Sequence, residues 1–311
     1  MKYGILFSGQ GAQFEEMGLD FYQNSPLFKE YIDKASEITS YDLREIFANQ
    51  GNQLSQTKYV QLAIVAMSVG IYKMLSQALG NQFEVGGMVG LSLGEYSALM
   101  ASGKLNYQDG MAALKDRAIY MQEDADENPS MMGAAMNPDI EKLEAICAEI
   151  ADVTIANYNT PKQVVLGGTT IGVKEAMAAI ENQGAAKRVV PLKVSGAFHT
   201  PLFINSSQKM GKRLENITFE NTDTQVISNT TVKPFETEKI AQILEAQIVN
   251  PTHFGDCLQY LIDNENINAT LEIGPGQTLT KFAKQVDKSL DRHHISSLED
   301  FEKFIEFMKE K

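Results

Sequence analysis

In the stretch VGLSLGEYSAL, residues 89–99, Ser92 stands two residues from a glycine on each side. A G-x-S-x-G spacing suits a sharp turn between a strand and a helix, which lifts a serine hydroxyl clear of the backbone, where it can attack a carbonyl. The same pattern also fits an ordinary connection in a chain with 23 glycines. A nucleophilic serine needs a base to take its proton and donors to hold the developing oxyanion. Histidine is the side chain whose ordinary pKa suits that base. Of the four histidines, His199 in VSGAFHTP lies in a loop bounded by glycine and proline. His253 sits at a helix start after Pro251, and His293 and His294 lie in a polar terminal segment, so surface positions are the simpler reading for all three. FSGQGAQ near the N-terminus offers backbone amides that can face an anion. It reads equally as a tight turn, or as a phosphate loop without its lysine.

The elements that must position these residues follow from the hydrophobic pattern. YGILFSG reads as a first β-strand rather than a cleaved leader, followed by a Gly loop and helical pattern through about residue 50. Residues 58–79 keep apolar positions at helical spacing and are too rich in them for a surface helix, which predicts a buried one. FEVGGMVGLSLGEYSALMASG then reads as a strand, a sharp turn at Ser92 and a helix ended by Gly103. This is the context that a nucleophile elbow requires.

EDADENPS, an acidic stretch around Pro129, predicts a linker. Beyond it come strand MMGAAM, a helix with Asn137 as N-cap and Pro138 at its first position, and strands VTIANYN and QVVLGG about a turn at Pro161. A helix from Thr169 or Thr170 to Gly184 and strand AKRVVPLKV follow. The order β-α-β-β-α-β predicts a ferredoxin-like small subdomain over residues 124–197, inserted into a larger α/β body formed by residues 1–123 and 198–311. In the returning segment we read a helix over 200–215, strand TQVISNT, helices over 236–249 and 253–264, strand ATLEIGPG, and a helix from Thr278.

Composition narrows the function classes. At 311 residues and 43% hydrophobic content a sizeable core is expected, and no apolar run is read as reaching the roughly 18 residues that cross a bilayer. Twenty-seven basic against 40 acidic residues leave a net charge of −13, which argues against nucleic acid and anionic membrane surfaces as partners. Cys147 and Cys257 are too few for a disulfide framework, and neither they nor the histidines have a metal-ligand spacing. A cytoplasmic protein without a metal is expected.

Seven stretches occur in order: GQGAQ, GLSLGEYSAL, RAIYMQ, ANYNTPKQVVLGG, GAFHTP, QIVNP and EIGPG. Together they resemble the malonyl-CoA:acyl carrier protein transacylases, the acyltransferases of bacterial type II fatty acid synthesis, over essentially the whole chain. The resemblance implies an α/β-hydrolase-like body with a parallel sheet and a ferredoxin-like insert, in agreement with the layout above. It implies Ser92 as nucleophile and His199 as base, the histidine oriented by a main-chain carbonyl at Gln247 instead of an aspartate. It implies an oxyanion hole from the amides of Gln10 and Leu93, and Arg117 as the grip on the free malonyl carboxylate, a task suited to a bidentate guanidinium. Malonyl-CoA and acyl carrier protein are the implied partners, no bound cofactor is needed, and a monomer is expected.

Two positions depart from the family pattern. Leu91 stands where many members have histidine, and Ser8 where many have proline. Phe198 matches the malonyl-type pattern of related polyketide domains. A serine esterase, an inactive carrier-binding module and a discrete polyketide acyltransferase are the rival readings. Two basic clusters flank His199 as candidate carrier-docking sites: Lys187, Arg188 and Lys193, and Lys209, Lys212 and Arg213.

Overall fold

The N-terminal apolar run becomes the middle strand of a five-stranded parallel sheet. The computed structural model describes residues 1–311. In chain order, β1 (Lys2–Phe7) leads through α1 (Leu19–Asn24), α2 (Pro26–Thr39) and α3 (Leu43–Phe47) to the long helix α4 (Thr57–Leu79). Then come β2 (Glu84–Gly90), α5 (Gly94–Ala101) and α6 (Tyr107–Glu127). A second unit follows: β3 (Ser130–Pro138), α7 (Ile140–Glu149), β4 (Val153–Thr160), β5 (Gln163–Thr169), α8 (Thr170–Gln183) and β6 (Ala186–Pro191). The chain finishes with α9 (Ile204–Leu214), β7 (Val226–Ile227), α10 (Ile240–Gln247), α11 (Phe254–Glu265), β8 (Ala269–Ile273), α12 (Thr278–Val286), β9 (Asp291–Ile295) and α13 (Leu298–Lys309).

The large sheet has the order β7-β2-β1-β8-β9, with all pairs parallel. Tyr3, Ile5, Leu6 and Phe7 of β1 are wholly buried, since helices cover both faces of the sheet. Loops leave the carboxyl ends of β1, β2 and β8 side by side, where open α/β sheets form their clefts. The second sheet is antiparallel, with order β4-β5-β3-β6, which is the ferredoxin-like arrangement. Strand alternation splits its two faces. Val164 and Leu166 join a small core with Leu143 and Ile180 under α7 and α8, whereas Met132, Ala134 and Val165 turn to the main core.

The architecture agrees with the sequence reading, and several boundaries move. α6 runs unbroken to Glu127, so the acidic stretch read as a linker is the last turns of a helix, and the 123/124 boundary falls inside it. Its N-cap Asn106 and buried Met111, Leu114 and Met121 stabilise the helix well enough to carry the acidic tail. β3 continues through Pro138, and Asp139 caps α7 by accepting from the Lys142 amide, in place of the expected Asn137. Strand TQVISNT shrinks to the two residues of β7, and strand AKRVVPLKV ends at Pro191. The terminal segment read as polar supplies β9 and α13, and the His293 ring packs among Tyr3, Phe304 and Phe307 instead of lying free at the surface. α4 is long and apolar enough by composition to cross a membrane, contrary to the expectation that no such run exists. Most of that stretch is buried in the fold, where α2 and α6 pack on it, and this accounts for an apolar character on all sides.

Candidate active site

β2 ends at Gly90 and α5 begins at Gly94, and both glycines are required by contact. A Cβ on Gly90 would lie 1.9 Å from the Gly94 carbonyl carbon, and one on Gly94 would lie 2.2 Å from the Phe7 carbonyl oxygen. The intervening turn therefore folds tightly back onto β1, and Ser92 takes the left-handed conformation, with φ 52°. That strained state is held from both sides. The Ser92 amide donates to Asn229 Oδ1 at 2.8 Å, and its carbonyl accepts from Gln247 Nε2 at 3.0 Å.

His199 is held the same way, with φ 63° and 3% of its surface exposed. Its Nδ1 lies 2.8 Å from the main-chain oxygen of Gln247. A carbonyl only accepts, so Nδ1 carries the proton and Nε2 presents a free lone pair. Burial pushes the imidazole pKa down to about 4; the Gln247 carbonyl opposes the shift and the Arg117 charge adds to it. The ring is neutral at physiological pH, the state a general base needs.

Arg117 on α6 is buried as deeply, with 1% exposure. Nη1 donates to Gln61 Oε1 at 2.5 Å and Nη2 to Gln247 Oε1 at 3.1 Å, while Nε has no partner in the protein. Its plane lies over the Tyr96 ring, with Cζ 5.5 Å from the centroid. Glu95, on the first turn of α5, accepts from the Asn229 amide and from Gln247 Nε2. Gln247 thus joins four groups: His199 through its main chain, and Ser92, Glu95 and Arg117 through its side chain.

Ser92, His199 and Arg117 all line one cavity of about 370 Å³ between the two sheets. Gln10 and Leu93 line it as well, and neither backbone amide donates to a protein acceptor. Both amides therefore remain free to donate to a group bound in the cavity beside Ser92. The remaining wall is largely apolar, with Met121, Met132, Val165 and Phe198.

The family model for the acyl transferase domain matches residues 5–301. The chain belongs to the acyl transferase family. A malonyl CoA-acyl carrier protein transacylase of Bacillus subtilis (strain 168) is 32% identical over 317 residues, covering 99% of this chain and 98% of that one. The crystal structure of MCAT from Streptococcus pneumoniae is 39% identical, with TM-score 0.92 over 98% of this chain and 100% of that one. A type II PKS acyl-carrier protein in complex with its malonyl-transacylase offers a further likeness, at 30% identity and TM-score 0.93 over 99% and 100% of the two chains.

In this acyl transferase all six residues singled out from the sequence come together around one cavity or its hydrogen-bond network. His253 and His294 stay at the margins: His253 stacks on Tyr158 at 4.7 Å, and His294 meets Gln277. Leu91 packs against the apolar cluster under α11 and α12, so no polar neighbour replaces the commoner histidine. Ser8 reaches Glu272 Oε1 at 3.4 Å. Three residues of the network escaped the sequence reading: Gln61, Glu95 and Asn229. A signal existed for two of them, since Gln61 and Glu95 are polar residues inside otherwise apolar helical stretches. Buried polar side chains in such places need partners.

Proposed function

We propose that this acyl transferase moves the malonyl group of malonyl-CoA to the phosphopantetheine thiol of an acyl carrier protein through an ester on Ser92, supplying fatty acid chain elongation. One observation carries the choice of acyl group. Arg117 is a buried guanidinium that lines the cavity of Ser92 and His199, its Nε has no hydrogen-bond partner, and no carboxylate lies within ion-pair distance of it. A desolvated cation facing a cavity is accounted for by an anionic ligand, and a carboxylate matches its fork.

The proposed chemistry uses these residues in two half-reactions. Ser92 Oγ attacks the thioester carbonyl while its proton passes to His199 Nε2. The carbonyl oxygen takes up the negative charge against the amides of Gln10 and Leu93. Collapse breaks the carbon–sulfur bond, and CoA leaves as the thiol with the proton from Nε2. In the second half the carrier thiol gives its proton to Nε2 and attacks the ester. Ser92 Oγ then departs and recovers that proton. CoA and the carrier thiol are substrates of the cycle, which needs no further cofactor.

Acceptance of a carrier by a chain of charge −13 calls for a local basic surface. Of the two clusters, Lys209 pairs with Glu123 at 2.6 Å and Arg213 with Asp116 at 2.5 Å, which neutralises that face. Lys187 and Arg188 on β6 are exposed and form no ion pair, and Lys193 lines the cavity mouth. We assign docking to this second group. The reading also carries a cytoplasmic monomer. Both cysteines are free and buried, as suits a reducing compartment, and one chain supplies every site residue.

Acceptor preference tests the proposal. With malonyl-CoA and a holo carrier protein, malonyl-carrier thioester should accumulate far faster than free malonate. Malonate released equally fast with and without the carrier would make the protein a thioesterase.

A further inference from the structure

Glu95 is the buried titratable group that the acyl-transfer steps leave unused. It is wholly buried directly behind the elbow, and both carboxylate oxygens are engaged: Oε1 accepts from the Asn229 amide and Oε2 from Gln247 Nε2. Neither partner is incidental. Asn229 uses its side-chain oxygen to take the Ser92 amide. Gln247 uses the second hydrogen of Nε2 on the Ser92 carbonyl, its Oε1 on Arg117 and its main-chain oxygen on His199. Because both neighbours donate to it, the carboxyl must act as an acceptor at two oxygens, which the ionised form does best.

We propose that ionised Glu95 is a positioning residue: by accepting from Asn229 and Gln247 together it holds the amide of Gln247 in place, and through it the strained Ser92 turn, the His199 ring and the Arg117 side chain. The inference rests on the acyl-transfer reading of the site. The chemistry of an amide explains why the carboxylate matters. Arg117, which only donates, and the Ser92 carbonyl, which only accepts, set the same amide orientation that Glu95 demands, and Glu95 takes the remaining Nε2 hydrogen. Without that acceptor the hydrogen is left unpaired in a buried site, and the amide loses the third of the contacts that hold it in place.

Geometry and charge around Glu95 make the switch titratable. Arg117 from α6, Cys257 from α11 and Tyr96 beside it on α5 face the carboxyl, and His199 lies beyond Gln247. Burial pushes its pKa up to about 7, against the opposing pull of the Asn229 and Gln247 hydrogen bonds and the Arg117 charge. The ionised fraction therefore falls as the solution is acidified through neutrality.

The test uses the full chain, with burst kinetics of Ser92 acylation by saturating malonyl-CoA as a function of pH. Wild type should show a limb that rises with pH, centred near 7. Glu95→Gln keeps the shape but presents NH₂ to one of two donors. It should lower the burst rate by about 10–100-fold, as expected for displaced reacting groups, and abolish the limb. Glu95→Asp, which keeps a carboxylate on a shorter stem, should restore part of the rate and move the limb's midpoint. A burst rate in Glu95→Gln within twofold of wild type, or a limb that survives there, would overturn the proposal. Should Glu95→Gln fail to fold, Glu95→Asp decides: an unmoved midpoint overturns it too. A wild-type protein that forms no malonyl ester would instead sink the acyl-transfer reading, which separates the two failures.

Discussion

His199 Nδ1 lies 2.8 Å from the main-chain oxygen of Gln247, so a peptide carbonyl, and no carboxylate, orients the ring. Burial lowers the imidazole pKa to about 4, and a carbonyl, which carries no full charge, opposes that shift less than a carboxylate would. Above that value the ring is neutral, the form the proposed base requires, with a smaller driving force for taking the serine proton. His199→Ala should leave malonyl-CoA binding largely intact and slow both half-reactions by roughly 10²–10⁴-fold, as for other lost general bases. Rapid-quench measurement of each half-reaction checks this, and burst rates equal to wild type would assign the base elsewhere.

Arg117→Ala should alter acyl choice more than it alters the fold. Removing one partner of a buried ion pair costs about 3–5 kcal/mol, or roughly 10²–10⁴-fold in kcat/KM for malonyl-CoA. The acetyl group of acetyl-CoA has no carboxylate to lose, so its use should hold or rise. Competition between the two substrates measures the ratio, and an equal loss for both would remove the carboxylate-clamp role.

Stability should respond to pH through two buried groups of opposite sign. The His199 pKa is depressed to about 4, so its contribution is present above the ordinary imidazole range and is lost as pH falls through about 4. The Glu95 pKa is raised to about 7, so its contribution is present below the ordinary carboxylate range and is lost as pH rises through about 7. Between these limits the two slopes oppose each other. Relative to wild type, His199→Ala should become less stable with rising pH and Glu95→Gln more stable, read by urea unfolding at a series of pH values. Parallel pH curves for all three proteins would contradict both assignments.

Carrier recognition should follow uncompensated charge. Reversal of Lys187, Arg188 and Lys193 to glutamate should raise the KM for carrier protein, more at low salt than at high, with Ser92 acylation unchanged. The same reversal of Lys209, Lys212 and Arg213 should matter less, because Glu123 and Asp116 already neutralise two of the three. A larger salt-dependent effect from the second triple variant would reverse the assignment of the docking face.

Much of this site is legible in the chain itself because its backbone demands are local. Gly90, Ser92 and Gly94 announce an elbow, since only glycines tolerate the contacts on either side of it, and α5 follows at once. The network behind the elbow is legible only in part, because its bonds join residues far apart. Asn229 meets the Ser92 amide across 137 positions, and Gln247 meets Glu95 across 152. No periodicity links such positions; a buried charge in an apolar helix shows only that a partner must exist. The boundaries that moved have similar causes. β7 keeps two residues because only Val226 and Ile227 find partners on β2, and β9 forms from the polar-looking DRHHI because β8 offers it an edge. In both cases the neighbouring strand decides, which local propensity does not record.

The most direct test of the whole account is the mass of the intact protein after brief exposure to malonyl-CoA, followed by peptide mapping. A single malonyl group on Ser92, absent from Ser92→Ala and discharged onto a holo carrier protein when one is added, is the expected result. Malonyl on another residue, an undiminished adduct in Ser92→Ala, or an ester that the carrier thiol leaves untouched would contradict it.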